Sequence, residues 1–179
     1  MKHTLTVFMV ALLAGAACAT PALADDTKEP WPADPFVDAT ALMRQSVVAI
    51  GTHNRRTRPT VGFFGSGFVV GHGNLAITNA HVVAAIAEKD LIKSLRVYPP
   101  NGGPDEAREA RVLAQDRAHD LALLEFEGPP MQPVRLDRRE PRQGQTVGVL
   151  GFPIGMKLGA VPAAHRGVVS AVVPAVLPL

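Results

Sequence analysis

A single cysteine, Cys18, occurs in this sequence, and it stands near the amino terminus of 179 residues. Past it no thiol remains, so a disulfide framework is excluded and the fold must rest on apolar burial. A chain of about 150 residues buries close to 70% of its unfolded surface, which is enough for one ordinary core. Charge of one sign is equally scarce. The formal net charge is +2, and the basic residues are dispersed apart from Arg55, Arg56 and Arg58, which argues against nucleic acid as a partner. That trio lies between two apolar runs and reads as decoration on a solvated hairpin loop, with a partner-binding loop as the lesser alternative. Metal-ligand spacing is also missing: His53, His72 and His165 sit in loops or at strand starts with no second ligand nearby in sequence. Neither a metal nor an organic cofactor is expected.

What is present begins with a targeting signal. Lys2 and His3 precede an uncharged apolar stretch from Leu5 to Ala17, followed by the small-residue triplet Ala22-Leu23-Ala24. This is the pattern of a signal peptide over residues 1–24, cleaved after Ala24. The stretch falls short of the roughly 20 residues that span a bilayer, so no stable membrane span is expected after cleavage. The residues before Cys18, Gly15-Ala16-Ala17, lack the upstream apolar residue of a lipoprotein site, which disfavours a lipid anchor. Export across an inner membrane, to a periplasm, is the expectation.

Residues 25–40 are acidic and proline-bearing at their start and read as an extended linker. From Ser46 onward, eight β-rich runs recur between Gly, Pro or Asn: SVVAIGT, VGFFGSGFVV, LAITNA, LRVYP, EARVLAQ, LALLEF, TVGVLGF and RGVVSAVV. Such spacing predicts an all-β barrel or sandwich. Helix is confined to Thr40–Gln45 and Val82–Asp90. Pro129-Pro130 marks a connector, dividing a first barrel over residues 41–131 from a second portion over 132–179.

Two residues carry the candidate chemistry. His81 follows the run LAITNA and precedes a short helix, which holds a side chain rigidly enough for a general base. The turn His72-Gly73-Asn74 before that strand offers Gly73 and Asn74 for positive φ. Asp120 opens the apolar run LALLEF, where a carboxylate entering a buried environment needs a partner; an imidazole would be one. Taken alone, a histidine such as His81 is more often a satisfied structural residue than a catalytic one. Asp116 competes for the orienting role, and His119, the neighbour of Asp120, is expected to point to solvent.

The motifs TNAHVV around His81, DLALL from Asp120, GSGFVV upstream and GVVSAV near the end resemble the trypsin-like serine proteases of the HtrA (Deg) type, exported quality-control endopeptidases of bacteria. The resemblance covers about Ser46 to Val173. It implies an all-β, chymotrypsin-like double β-barrel, His81 as general base and Asp120 as orienting carboxylate, with polypeptides as substrates. It assigns Ser66 to a structural position and Asp120, rather than Asp116, to the start of the D-L-A-type strand. It further likens Val147–Gly155 to the first strand and turn of the second barrel, and Arg166–Val173 to the strand before the substrate-binding wall.

The family's nucleophile sits in a G-N-S-G-G segment, and none occurs here. The serines are Ser46, Ser66, Ser94 and Ser170, none of them in such a loop; Ser170 lies between valine and alanine in a strand-like run. The expectation is therefore a complete first barrel, an incomplete second barrel, no nucleophile within these residues, and a sequence truncated before its catalytic serine. Losing the nucleophile forfeits on the order of 10⁶ in rate, so the chain as written is expected to be inactive. A non-catalytic pseudoprotease that binds peptides or partner proteins is the alternative. Oligomeric state is left open.

Overall fold

The computed structural model describes residues 33–54, 59–153 and 160–173. The expected signal peptide, the start of the linker and the arginine trio lie outside the described residues. Everything below, from Asp34 on, belongs to one compact unit.

The first half is a closed barrel. Its strands are β1 (Val47–His53), β2 (Val61–Val70), β3 (Leu75–Thr78), β4 (Leu95–Tyr98), β5 (Arg108–Asp116) and β6 (Leu121–Phe126), joined in the order β1-β2-β3-β6-β5-β4, with β4 closing on β1. All pairs are antiparallel. The barrel interior is aliphatic: Val48, Ile50, Val69, Leu95, Val97 and Leu124 are buried together. Helix α2 (Ala80–Glu88) contributes Val82, Val83 and Ile86 to the same core.

Strand β1 is apolar without alternation because both of its faces are covered. Val48 and Ile50 face the barrel core, while Val47 and Ala49 join Tyr98, Phe152 and Ala160 in a second cluster. Phe152 follows β7 (Thr146–Gly151), which pairs with β8 (Ala163–Val168) in a two-stranded antiparallel sheet. The fold is thus all-β with a complete first barrel. Among the described residues, the second barrel is represented by these two strands. The connector between the halves has no helix or strand, yet it is tied to the barrel by Met131 N donating to Gly73 O (2.9 Å) and Val134 N to Val69 O (2.8 Å).

Three local expectations are corrected. The linker is not extended through residue 40, because helix α1 runs from Pro35 to Arg44. Asp34 caps it by accepting from Phe36 N at 2.9 Å, and Pro35 supplies the fixed φ of a first helical position. The last strand lies at 163–168 instead of 166–173: β7 pairs from Gly151↔Ala163 to Thr146↔Val168, and there its own residues run out. In the β2–β3 turn the positive φ angles belong to Gly71 (62°) and Gly73 (98°), not to Asn74. Asn74 instead donates its side-chain amide to Gly128 O at 2.9 Å, fastening the turn to the end of β6. A Cβ on Gly73 would sit 2.4 Å from Met131 O, so the connector can lie there only against glycine.

Candidate active site

Strand β3 ends at Thr78, and the chain stays extended through Asn79 (φ −79°, ψ 145°) before α2 begins at Ala80. His81 is therefore the second residue of the helix, three residues past the end of the strand, where the sequence predicts it directly after the strand. Gly65 of β2 sets how close that helix can come, since a Cβ there would be 2.6 Å from Val82 Cγ2. On the partner strand, Asp116 opposes Leu121, which closes a tight turn ending at Asp120. Asp120 has φ 54°, a left-handed conformation that aspartate tolerates better than most residues. Because β3 and β6 pair with Thr78 opposite Ala122, the residues just past one strand meet those just before the other.

The structure brings His81 and Asp120 together. His81 Nδ1 lies 2.7 Å from Asp120 Oδ2, and the His81 backbone N–H donates to Oδ1 at 2.9 Å. Asn79 Nδ2 donates to Oδ2 at 3.1 Å and to the Asp120 carbonyl at 3.2 Å, and Ala80 N donates to the same carbonyl at 3.2 Å. The His81 backbone N–H, followed by its ring, holds the Asp120 carboxyl below the usual carboxylate range, against the opposing effect of burial. Asp120 is thus ionised at neutral pH. The environment is more open than expected, with the side chains of His81 and Asp120 71% and 38% exposed.

Asp116 makes a separate pair. Its Oδ2 lies 2.6 Å from His119 Nδ1 and its Oδ1 accepts from His119 N at 3.2 Å. His119 is exposed but engaged, and it stands in the turn before β6, not on a strand. The His119 ring, foremost, holds the Asp116 carboxyl below its ordinary value.

His81 and Asp120 line an open cavity of about 400 Å³ with Ala80, Ala84, Ala87, Glu88 and Arg117. No serine lines it. Ser46 is buried, Ser66 accepts from Phe152 N at 3.0 Å through its Oγ, Ser94 belongs to a short 3₁₀ turn, and Ser170 is exposed beyond β8. Among the described residues, no three His, Cys, Asp or Glu side chains are grouped to hold a metal, and no helix is long and apolar enough to cross a membrane.

The profile of the trypsin-like peptidase domain matches residues 65–177. This chain belongs to that family. The mitochondrial serine protease HTRA2 of Bos taurus is 33% identical over 136 residues, which cover 73% of this chain and 28% of the relative. Serine protease HTRA1A of Danio rerio is 35% identical over 109 residues, 58% of this chain and 21% of the relative. Serine protease Rv3671c of Mycobacterium tuberculosis is 33% identical over 102 residues, 57% and 23% respectively. The chain spans about a quarter of the length of these relatives. Its likeness within the trypsin-like family is thus to the HtrA type, as the motifs around His81 and Asp120 imply. Asn79 is the site residue that sequence reasoning passed over. Its signal was a good helix-capping residue directly before the helix, which reads as punctuation until the β3–β6 register is known.

Proposed function

We propose that His81 and Asp120 are the general base and the orienting carboxylate of a serine-type endopeptidase acting on exported or misfolded polypeptides. The observation that carries this reading is the 2.7 Å contact between His81 Nδ1 and Asp120 Oδ2. With Nδ1–H donated to the carboxylate, the lone pair of the imidazole is on Nε2, the nitrogen that takes a proton from an attacking hydroxyl. As the hydroxyl oxygen bonds to the peptide carbonyl carbon, its proton passes to Nε2, and the ionised Asp120 stabilises the imidazolium that forms. The same proton then goes to the leaving amine. No step calls for a metal or an organic cofactor.

The serine of that reaction is supplied, in this reading, by sequence outside these residues, since none of the four serines lines the cavity with His81. The chain by itself is then inactive, and in that state it is a peptide-binding module at most. The signal-peptide pattern of residues 1–24 supports delivery to a periplasm.

The test is labelling with a fluorophosphonate probe, applied to the 179-residue chain and to the product read on from the nucleotide sequence downstream of the Leu179 codon. The longer product labels, His81→Ala abolishes that labelling, and the 179-residue chain stays unlabelled. Labelling that survives His81→Ala would remove His81 from the proposed role.

A further inference from the structure

Asn79 occupies the N-cap position of α2, where asparagine is among the best residues for capping, yet its side chain makes no cap hydrogen bond. The orphan N–H of His81 in that first turn is satisfied from elsewhere, by Oδ1 of Asp120 at 2.9 Å. Released from capping, the Asn79 amide nitrogen reaches two oxygens of one residue, Oδ2 at 3.1 Å and the main-chain carbonyl at 3.2 Å. Facing two acceptors, only the NH₂ end of the amide fits, and its two hydrogens serve both.

We propose that Asn79 is a positioning residue: it bridges the carboxylate and the carbonyl of Asp120, fixes that side chain's rotamer, and so holds His81 in its Nδ1-protonated tautomer. The inference rests on reading His81 and Asp120 as base and orienting carboxylate. The need for such a tether follows from exposure. Asp120 is 38% exposed, at the end of a turn and with left-handed φ, so its carboxylate is held in place chiefly by its hydrogen bonds. With Asn79 in place, rotation about the Cα–Cβ bond breaks two bonds to His81 and one to Asn79 together.

A merely structural Asn79 and a positioning one respond differently to Asn79→Ser and Asn79→Asp. Both replacements cap helices about as well as asparagine, but serine is too short to reach Oδ2, and aspartate offers no hydrogen and adds a second negative charge. The experiment is ¹⁵N NMR of histidine-labelled 179-residue chain, following the Nδ1–H signal of His81, with Asp120→Asn as reference and thermal melting alongside.

The expected result is loss of the Nδ1–H signal in both variants, as in Asp120→Asn, because the ring nitrogen loses its fixed acceptor. The melting temperature of Asn79→Ser is unchanged or raised. The proposal is overturned if both variants keep the wild-type signal while Asp120→Asn loses it, a result that leaves the proposed function standing. It is overturned equally if Asn79→Ser abolishes cooperative melting, which would make Asn79 a folding residue. Should Asp120→Asn itself keep the signal, the His81–Asp120 pairing falls, and the functional reading falls with it.

Discussion

Arg166 of β8 grips Asp34, the cap of α1, with one guanidinium nitrogen 2.6 and 2.7 Å from its two carboxylate oxygens, and stacks 4.3 Å from the ring centroid of Phe36. Phe36 in turn covers Gly148 of β7, where a Cβ would lie 2.8 Å from its ring. One arginine thereby fastens the first described helix to the two-stranded sheet. Both charged side chains are about half exposed, so the ion pair alone adds little to stability; its effect is on whether α1 stays docked. Arg166→Ala is expected to speed amide hydrogen exchange in α1 by about tenfold with little change in the barrel strands, while Arg166→Lys, lacking the planar stacked group, restores only part of the protection.

The same contact has a pH signature. Asp34 is held below the ordinary carboxylate range first by the Phe36 N–H and next by Arg166. A carboxyl with a lowered folded value stabilises the folded state above its unfolded value, near 3.9, and that contribution is lost as pH falls through the folded value. Protection of the α1 amides should therefore hold from neutrality to about pH 5 and decline below about pH 4, and in Asp34→Asn this decline should vanish.

Tyr98 gives the opposite case. Its ring is fully buried, its hydroxyl donates to Thr52 O at 3.0 Å, and burial pushes the phenol up to about 12. A group whose folded value is raised stabilises fully below its unfolded value, and the contribution disappears as pH climbs through the window from about 10 to 12. Urea midpoints should fall across that window in the wild type, and Tyr98→Phe should flatten the fall. At neutral pH that variant should cost about 1–2 kcal/mol for the buried carbonyl left without its donor.

How much of this was legible beforehand depended on whether local signals or strand register decided the matter. Most barrel strands were legible as apolar runs closed by Gly, Pro or Asn, and β2 and β6 begin and end where their runs do. The strand near the end was misplaced because its apolar letters continue past Val168, whereas pairing stops where β7 stops. Helix α1 was missed over its first residues because an acidic, proline-bearing composition outweighed a local signal, Asp34 followed by Pro35, that marks a helix start. At the site, His81 and Asp120 were found from motif and order. Asn79 was not, since its use depends on the pairing that sets Thr78 opposite Ala122.

Of the two aspartates in AQDRAHDLALLEF, family resemblance assigns the orienting role to Asp120, and the hydrogen bonds of the two make that assignment testable. Asp116 is paired to His119 and Asp120 to His81, each through an Nδ1 contact of 2.6 or 2.7 Å. Asp116→Asn should then remove only the Nδ1–H signal of His119, and Asp120→Asn only that of His81. The histidine spectra of the two variants would be interchanged if the roles were the reverse.

Gly65 acts on His81 through the helix that carries it. Its position leaves room for α2 only because it has no side chain: an added Cβ would stand 2.6 Å from Cγ2 and 3.2 Å from Cγ1 of Val82, a stiff β-branched residue buried in the barrel core. Gly65→Ala should push the start of α2 outward and destabilise the chain by about 1–3 kcal/mol, the usual cost of overpacking. Val82→Ala alone should also destabilise, by about 2 kcal/mol for a buried valine truncated in place. Combined, the two should cost less than their sum, because the methyl brought in by one occupies space vacated by the other. Urea denaturation of the four proteins measures this coupling, and the His81 Nδ1–H signal reports whether α2 has moved. Additive losses with an unshifted signal would mean that the helix is positioned by Val83 and Ile86 and owes nothing to the glycine beneath it.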